Sequence, residues 1–357
     1  MRHSHIPISR NPVPVSNIDR ILNYARLKSG VSLTTSGNTH YLGLPTRGLI
    51  LTDPVQLQIV RTLNGQRTLQ EIARGLFCEP DTVIAFTSLL VKDGFLDLRE
   101  GPFNSPRADL SQQLKAQREA IEHELLTHRS GAEDGGRNEL INRGHKTILI
   151  SGENRLAHNL LVALQSSGFT QSRLITRIHL PARIDGDDVC GIAVRASDIG
   201  KNRKDFTKEL IRNSQIAQQE QGAKNNPDLI ISTIPIEWDY VQRWMSEGSV
   251  HLHINPLIGP HVEVGPLVIP GQSPCMRCVT LIKRENGTVV DREFVRNELP
   301  SAAAALLSGL ITLAVAEYVA TGSSPLQAAS FWYNLLNPMV EPEKRHWTFH
   351  PACGCRP

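Results

Sequence analysis

Two pairs of cysteines limit what this chain can fold into more than any other feature. Cys275 and Cys278 have C-x-x-C spacing, Cys353 and Cys355 have C-x-C spacing, and a long stretch of chain separates the pairs. Four thiolates at tetrahedral reach satisfy Zn²⁺ completely and leave no position for substrate, so a site of this kind is structural. We predict that the four cysteines bind one zinc ion, which ties the end of the chain to the middle of a domain.

Two alternatives stay open for these cysteines. They could be unconnected buried thiols or a redox pair, although the βαβ start typical of redox motifs does not precede Cys275. His350, close to the second pair, could replace one cysteine as a ligand. The lack of a signal-peptide h-region after Met1 indicates a reducing, cytoplasmic compartment, which favours a metal over disulfides.

Composition indicates an ordinary globular protein. The chain has 357 residues, of which 40% are apolar and 20% charged, and its formal net charge is only +3. That length fits two or three domains, and the charge is too small to indicate nucleic acid or membrane as a partner. The one long apolar run, 302–320, contains Glu317 and predicts a helix buried in protein rather than in lipid.

The N-terminal third predicts a small α+β domain. We expect residues 1–29 to be flexible. Strand-favouring residues at 31–35 and 41–44 flank a Gly-Asn turn and predict a β-hairpin, and a third short strand follows at 48–51. These strands open a domain that we place at 30–100.

Three helices and a closing strand complete this domain. Asp53-Pro54 predicts the start of the first helix, Thr68 with Glu71 forms a capping box for the second, and Glu79-Pro80 opens the third. A strand at 95–98 follows. This order predicts a winged helix-turn-helix.

A winged helix can bind DNA, bind an extended peptide along its sheet, or be purely structural. The third helix, 81–93, carries one lysine and two aspartates and lacks an Arg or Asn ladder to read bases, so we do not expect nucleic acid. The layout is similar to the RiPP recognition element, which adds a leader peptide as a fourth strand. The predicted peptide-contacting residues are Leu33, Tyr41, Leu89 and Phe95.

A linker at 101–144 separates this domain from the rest of the chain. It contains a polar helical pattern at 108–128 with a weak apolar stripe, which indicates packing on a neighbour or a second subunit. From 145 to 357 the pattern is α/β. Strands are predicted at 147–150, 173–176, 189–194, 228–233, 250–254 and 262–269, with a helix at 203–219.

The turn after the first of these strands is not a complete nucleotide-binding turn. Of a G-x-G-x-x-G pattern only Gly152 is present, because Asn154 and Ala157 occupy the later positions. His251 and His253 alternate on one face of a strand, but the sequence shows no third ligand near them. The sequence therefore favours a Rossmann-like fold over a working nucleotide site.

Several motifs carry a family resemblance. The run 264–271 before the C-x-x-C pair, the apolar run 302–320 and the terminal segment 350–355 resemble the ThiF/E1-like superfamily. Within it they are most similar to leader-peptide-binding, cyclodehydratase-associated proteins of azol(in)e peptide biosynthesis. This resemblance covers 146–357, and the recognition-element resemblance covers 30–100.

Active members of the superfamily adenylate a carboxylate with ATP and Mg²⁺, and this chain departs from their pattern. Gly152 matches the glycine-rich turn and Arg203 corresponds to a remnant of the basic pair, whereas Ile234 replaces the metal-associated aspartate and Glu237 and Asp239 lie out of register. The resemblance therefore implies an adaptor that binds a peptide or small protein, forms a homodimer and presents its substrate to a separate catalytic partner. The alternatives are an ATP-dependent adenylating enzyme and a DNA-binding regulator.

Overall fold

The computed structural model describes residues 23–28, 30–37, 39–44, 47–99, 137–175, 182–214, 227–235, 237–287 and 299–355. The chain divides into two compact units, Met1–Leu140 and Ile141–Pro357. The helix predicted at 108–128 lies outside the described residues.

The described part of the N-terminal unit contains two three-stranded antiparallel sheets and three helices. Its strands are β1 Tyr24–Leu27, β2 Ser32–Ser36, β3 Thr39–Leu44, β4 Arg47–Leu51, β5 Asn64–Thr68 and β6 Leu96–Arg99, and its helices are α1 Pro54–Thr62, α2 Leu69–Gly75 and α3 Pro80–Lys92. One sheet has the order β2-β3-β4 and the other β5-β1-β6. The predicted hairpin, third strand, three helices and closing strand are all present.

Local side-chain chemistry explains where these helices begin. The Asp53 carboxylate accepts a hydrogen bond from the Val55 amide at 2.8 Å, and Pro54 supplies the φ angle of the first helical position. At α2, the Thr68 hydroxyl accepts from the Glu71 amide at 3.2 Å while the Glu71 carboxylate accepts from the Thr68 amide at 2.8 Å. Both capping signals that the sequence displays are therefore formed.

Strand β1 corrects the expectation that residues 1–29 are uniformly flexible. Tyr24–Leu27 pairs with β5 on one side and with β6 on the other, so it is the central strand of its sheet. Ala25 is fully buried in the core of this unit. Four residues are too few to show a periodic pattern, and both partner strands lie far along the chain, which explains why the sequence did not predict it.

The C-terminal unit is built on one seven-stranded sheet. Its strands are β7 Thr147–Ser151, β8 Gln171–Ile175, β9 Leu229–Ser232, β10 His251–Ile258, β11 His261–Val268, β12 Ala329–Asn334 and β13 Glu343–His346. The sheet order is β13-β12-β11-β10-β9-β7-β8, in which β10, β9, β7 and β8 are parallel and the remaining strands antiparallel. The predicted α/β architecture is confirmed.

Helices connect and cover these strands. They are α4 Arg137–Gly144, α5 Arg155–Ser166, α6 Arg203–Ser214, α7 Trp238–Ser246, α8 Met276–Glu285 and α9 Ser301–Thr321. Helices α5 and α9 contribute to the main apolar core together with β7, β9, β10 and β11. Helix α9 is long and apolar enough to cross a membrane, but one of its faces packs in this core, as in the core helix of a soluble protein.

One predicted strand is wrong. Residues 189–194 form a turn, in which the Cys190 and Gly191 amides both donate to the Val194 carbonyl. The Asn159 side-chain oxygen holds this turn by accepting from the Cys190 thiol at 3.0 Å and from the Ala193 amide at 3.3 Å. Its apolar residues are buried in a small separate core. A short run of buried apolar residues in a loop has the same sequence pattern as a buried strand.

Candidate functional site

The four cysteines come together in the C-terminal unit, as predicted. Their Sγ atoms all lie within 4.8 Å of one another. The Cys275–Cys353 and Cys278–Cys355 distances are 3.3 Å, and the Cys275–Cys278 distance is 4.0 Å. Four sulfurs placed about 2.3 Å from one Zn²⁺ in a tetrahedron are about 3.8 Å apart, so the observed spacing fits a tetrahedral metal site.

The local fold aims these sulfurs at one point. Cys275 is the N-cap residue of α8 and Cys278 lies in its first turn, so both thiols project from the start of the same helix. In the terminal segment Gly354 has a φ of 71°, a conformation that lets the chain reverse between Cys353 and Cys355. Burial, together with hydrogen bonds to neighbouring thiols, raises the pKa of Cys353. A divalent cation offsets this effect because it stabilises thiolates.

His350 is not placed as a metal ligand. Its Nε2 atom lies 2.7 Å from Glu285 Oε1, and its Nδ1 atom accepts a hydrogen bond from the Ala352 amide at 3.1 Å. The His350 amide donates to Cys278 Sγ at 3.3 Å. His350 therefore ties the terminal segment to the end of α8 and supports the cysteine site without binding the metal.

His251 and His253 form a buried aromatic cluster with Trp244. The two imidazole rings are 5.1 Å apart, and His251 Nδ1 lies 2.8 Å from the Ser249 carbonyl. Burial lowers the pKa of His251 to about 4 and that of His253 well below its ordinary value. Within the described part of the chain, the four cysteines are the one His/Cys/Asp/Glu group arranged to hold a metal, so these histidines are neutral core residues.

The crevice where a Rossmann-like fold binds its ligand lies between β7 and β9, because the strand order reverses there. The chain's own groups bridge this crevice. The Thr233 amide and hydroxyl donate to the Ser151 carbonyl at 3.0 and 3.1 Å, and the Asn154 side-chain amide donates to the Thr233 carbonyl at 2.9 Å. A Cβ at Gly152 would overlap the Thr233 hydroxyl, so this glycine permits close strand packing.

The start of α5 is capped internally. Asn154 Oδ1 accepts from the Ala157 amide at 2.9 Å, and this amide is one of the helix N-terminal donors that a phosphate would otherwise use. The same side chain bridges to Thr233. Asn154 is thus the residue that closes both the helix end and the crevice, which explains its place in the degenerate glycine pattern.

Arg203, predicted as a remnant of a basic pair, is engaged in a buried ion pair. Its two terminal nitrogens donate to the two carboxylate oxygens of Asp188 at 2.8 and 2.7 Å. Both residues are less than a tenth exposed. The geometry is bidentate and Asp188 uses both of its oxygens, so Arg203 is not presented to a phosphate. Sequence analysis missed Asp188 because the pairing depends on the turn at 189–194.

The acidic residues after β9 lie at the start of α7. Ile234 follows Thr233 at the end of the strand, while Glu237 precedes α7 and Asp239 lies in its first turn. Both carboxylates are exposed on the helix start. They do not form a metal-ligand group with any other described residue.

The four predicted peptide-contacting residues differ in burial. Leu33, on edge strand β2, and Leu89, on α3, are partly buried against the core of the N-terminal unit. The Tyr41 hydroxyl donates to the Leu44 carbonyl at 3.0 Å. Phe95 is only 2% exposed and belongs to the core itself, so its assignment as a contact residue is wrong. The sequence alone does not distinguish a phenylalanine in the core from one that lines a binding pocket.

Comparisons with known proteins identify the fold. No family profile and no curated protein matches the chain by sequence. Among solved structures, E. coli MccB crystallised with ATP has a TM-score of 0.61 at 12% identity over 94% of this chain and all of MccB. The microcin C7 biosynthetic enzyme MccB in complex with N-formylated MccA has a TM-score of 0.61 at 11% identity and covers 93% of this chain.

The heterocyclase TruD is also similar, with a TM-score of 0.53 at 15% identity over 94% of this chain and 43% of TruD. Identities this low establish the fold alone. The likeness covers 93% of this chain and therefore extends over both units. The comparisons therefore show that this chain shares the fold of MccB.

Proposed function

We propose that this chain is a peptide-binding adaptor with a ThiF/E1-like fold. It captures a peptide or small protein through its N-terminal unit, does not form adenylates itself, and presents its substrate to a separate catalytic partner in the cytoplasm. We further propose that the cysteine site binds zinc and that the chain acts as a homodimer.

The bridged crevice between β7 and β9 is the observation that carries the non-catalytic part of this proposal. Adenylate formation needs backbone amides close to the phosphates and a carboxylate that holds Mg²⁺ against the developing charge. Here the Asn154 and Thr233 side chains form hydrogen bonds with backbone groups at the strand ends and at the start of α5. Ile234 provides no carboxylate. Arg203 is already neutralised by Asp188.

The N-terminal unit supports the peptide-binding part. Three helices followed by a closing strand fit the order of a winged helix, and β2 lies at the edge of its three-stranded sheet. An extended peptide can pair with such an edge through main-chain hydrogen bonds, while neighbouring apolar side chains select its residues. Leu33 and Leu89 are partly exposed and can take this role, whereas Phe95 cannot.

A second candidate is an adenylating enzyme, and the likeness to MccB crystallised with ATP over nearly the whole chain favours it. Pyrophosphate exchange with the purified full chain separates the two. We expect no ATP-dependent exchange above a protein-free blank, with or without candidate peptides. Exchange that persists through repurification and is lost in Asn154→Asp, which keeps a helix-capping oxygen but removes the amide donor to Thr233, would establish the enzyme and exclude the adaptor.

A further inference from the structure

Five large apolar or aromatic side chains are exposed on two elements at the end of the seven-stranded sheet. Two lie at the start of α7 and three in the loop between β12 and β13. They are Trp238, Tyr240, Leu336, Met339 and Val340, and we call them the apolar rim. In the loop, Leu336 is 82% exposed and Met339 is 94% exposed.

Strand register places both elements at one edge of the sheet. The parallel strands β9 and β10 end at the same edge, and α7 begins shortly after β9 ends. Pairing of Ile258 with His261, and of His261 with Asn334, brings the end of β12 to that edge as well. The carboxyl edge of parallel strands is where α/β sheets bind ligands. The apolar rim therefore lies on the ligand-binding edge, with the start of α7 next to the crevice between β7 and β9 and the loop further along the same edge.

The apolar side chains of the loop are held outward by backbone structure. The Leu336 amide donates to the Asn334 side chain at 3.0 Å, and the Val340 amide donates to the Asn337 carbonyl at 3.2 Å. The Leu335 amide donates to the Pro260 carbonyl at 2.8 Å, which ties the loop to the β10–β11 turn. These bonds prevent the loop from folding its apolar groups inward.

The charges on the same elements are predominantly acidic. Glu237, Asp239 and Glu341 are exposed, and within the described residues they form no ion pair. The basic residues are mostly neutralised. Arg243 is paired with Glu247 and Arg345 with Glu343, whereas Lys344 keeps its charge beside the Phe331 ring, 5.5 Å from the ring centroid. An acidic border around apolar groups attracts a ligand that is both apolar and cationic.

We propose that the apolar rim binds an extended peptide segment that carries apolar and basic residues. Three strand spacings, about 14 Å, separate β9 from β12 across the sheet. The end of β12 is level with Ile258, whereas the end of β9 is level with His253, so an extended segment of about seven residues would span both strand ends. This proposal rests on the peptide-binding function above and deepens it by naming a second contact region and the residue types it selects. A second copy of the chain fits less well, because a two-fold interface would place the acidic border against itself.

Fluorescence anisotropy of two labelled synthetic peptides tests the proposal on the full chain. One peptide alternates leucine with lysine, and the other alternates leucine with glutamate. We expect the Leu/Lys peptide to bind at least about tenfold more tightly, and Met339→Ser with Val340→Ser to weaken it by about tenfold. Leu313→Ser is the matched control, since Leu313 is an exposed leucine on α9, outside the rim. The control should bind like the unaltered chain.

Three results would overturn the proposal. They are equal affinity for the two peptides, equal losses in the rim variant and the control, and a change from dimer to monomer in the rim variant during sedimentation, which would make the rim a self-interface. Pyrophosphate exchange distinguishes this failure from failure of the adaptor function. If the chain catalyses pyrophosphate exchange and its rim still prefers the basic peptide, the adaptor function is excluded while the rim proposal stands.

Discussion

Acidification should destabilise the C-terminal unit through histidines that the fold holds neutral. His158 is fully buried, and neither ring nitrogen has a hydrogen-bond partner among the described residues. Burial lowers its pKa from 6.5 to about 4, against the opposing effect of Asp188. The neutral ring is the form that the folded chain accepts. Its contribution to stability is therefore complete above pH 6.5 and is lost as the pH falls toward 4.

The size of the effect follows from the two pKa values. A histidine with a pKa of 6.5 in the unfolded chain and about 4 in the folded chain loses about 2 kcal/mol of stability between pH 7.5 and pH 5. His251 has the same shift for the same reason, so the two together lose about 4 kcal/mol. This is a large part of the roughly 5–15 kcal/mol that stabilises a typical domain.

Urea unfolding followed by tryptophan fluorescence measures this loss in the C-terminal unit, because all four tryptophans lie beyond residue 237. His158→Leu removes one titrating ring while keeping an apolar side chain beside Phe206. We expect this variant to lose about 2 kcal/mol less than the unaltered chain between pH 7.5 and pH 5. Loss of metal or carboxylate pairs at low pH is common to both proteins and cancels in the comparison.

The exposed His346 supplies the control, and His346→Gln should leave the pH dependence unchanged. An identical loss of stability in the unaltered chain and in His158→Leu would refute the reasoning, since it would show that burial of this ring does not resist protonation.

Two further predictions concern the metal and the buried ion pair. Metal analysis should find about one zinc per chain, and Cys355→Ser should abolish zinc binding and lower the melting temperature. The control Cys78→Ser, in the N-terminal unit, should leave the metal content unchanged, and a metal-free chain of unaltered stability would contradict the prediction. Asp188→Asn should cost about 3–5 kcal/mol in urea unfolding because it removes the carboxylate that both terminal nitrogens of the buried Arg203 contact. Asp188→Leu with Arg203→Met should recover most of the loss, and equal losses in both variants would exclude the ion pair as the cause.

The elements that the sequence predicts are those whose causes are local. Capping at Asp53 and Thr68 depends on residues at most three positions away, so the helices of the N-terminal unit could be located before the structure was known. Strands β1 and β13 are four residues long and derive their stability from pairing with distant strands. No local pattern encodes that pairing, and these strands were missed.

The cysteine site was predictable because thiol spacing is itself a geometric restriction. The directions of the two thiols in each pair are restricted, by the helix start in C-x-x-C and by the left-handed glycine in C-x-C. The role of His350 was not predictable, since it depends on Glu285, which the fold brings to 2.7 Å from the imidazole. The ligand set therefore follows from the sequence, whereas the groups that support it follow only from the fold.

At the crevice between β7 and β9, the sequence shows that the glycine motif is incomplete but does not show the hydrogen bonds that bridge the crevice. The absence of glycines at 154 and 157 is visible in the sequence, but the bridges that replace a ligand are not, because Asn154 and Thr233 meet only across the sheet. Each bridge is also independent of the other. Removing the Asn154 side chain would free the helix cap, yet the Thr233 hydroxyl would still bond to Ser151 and Arg203 would still be paired with Asp188. Under the proposed adaptor function, building a phosphate site here would therefore require several coordinated substitutions.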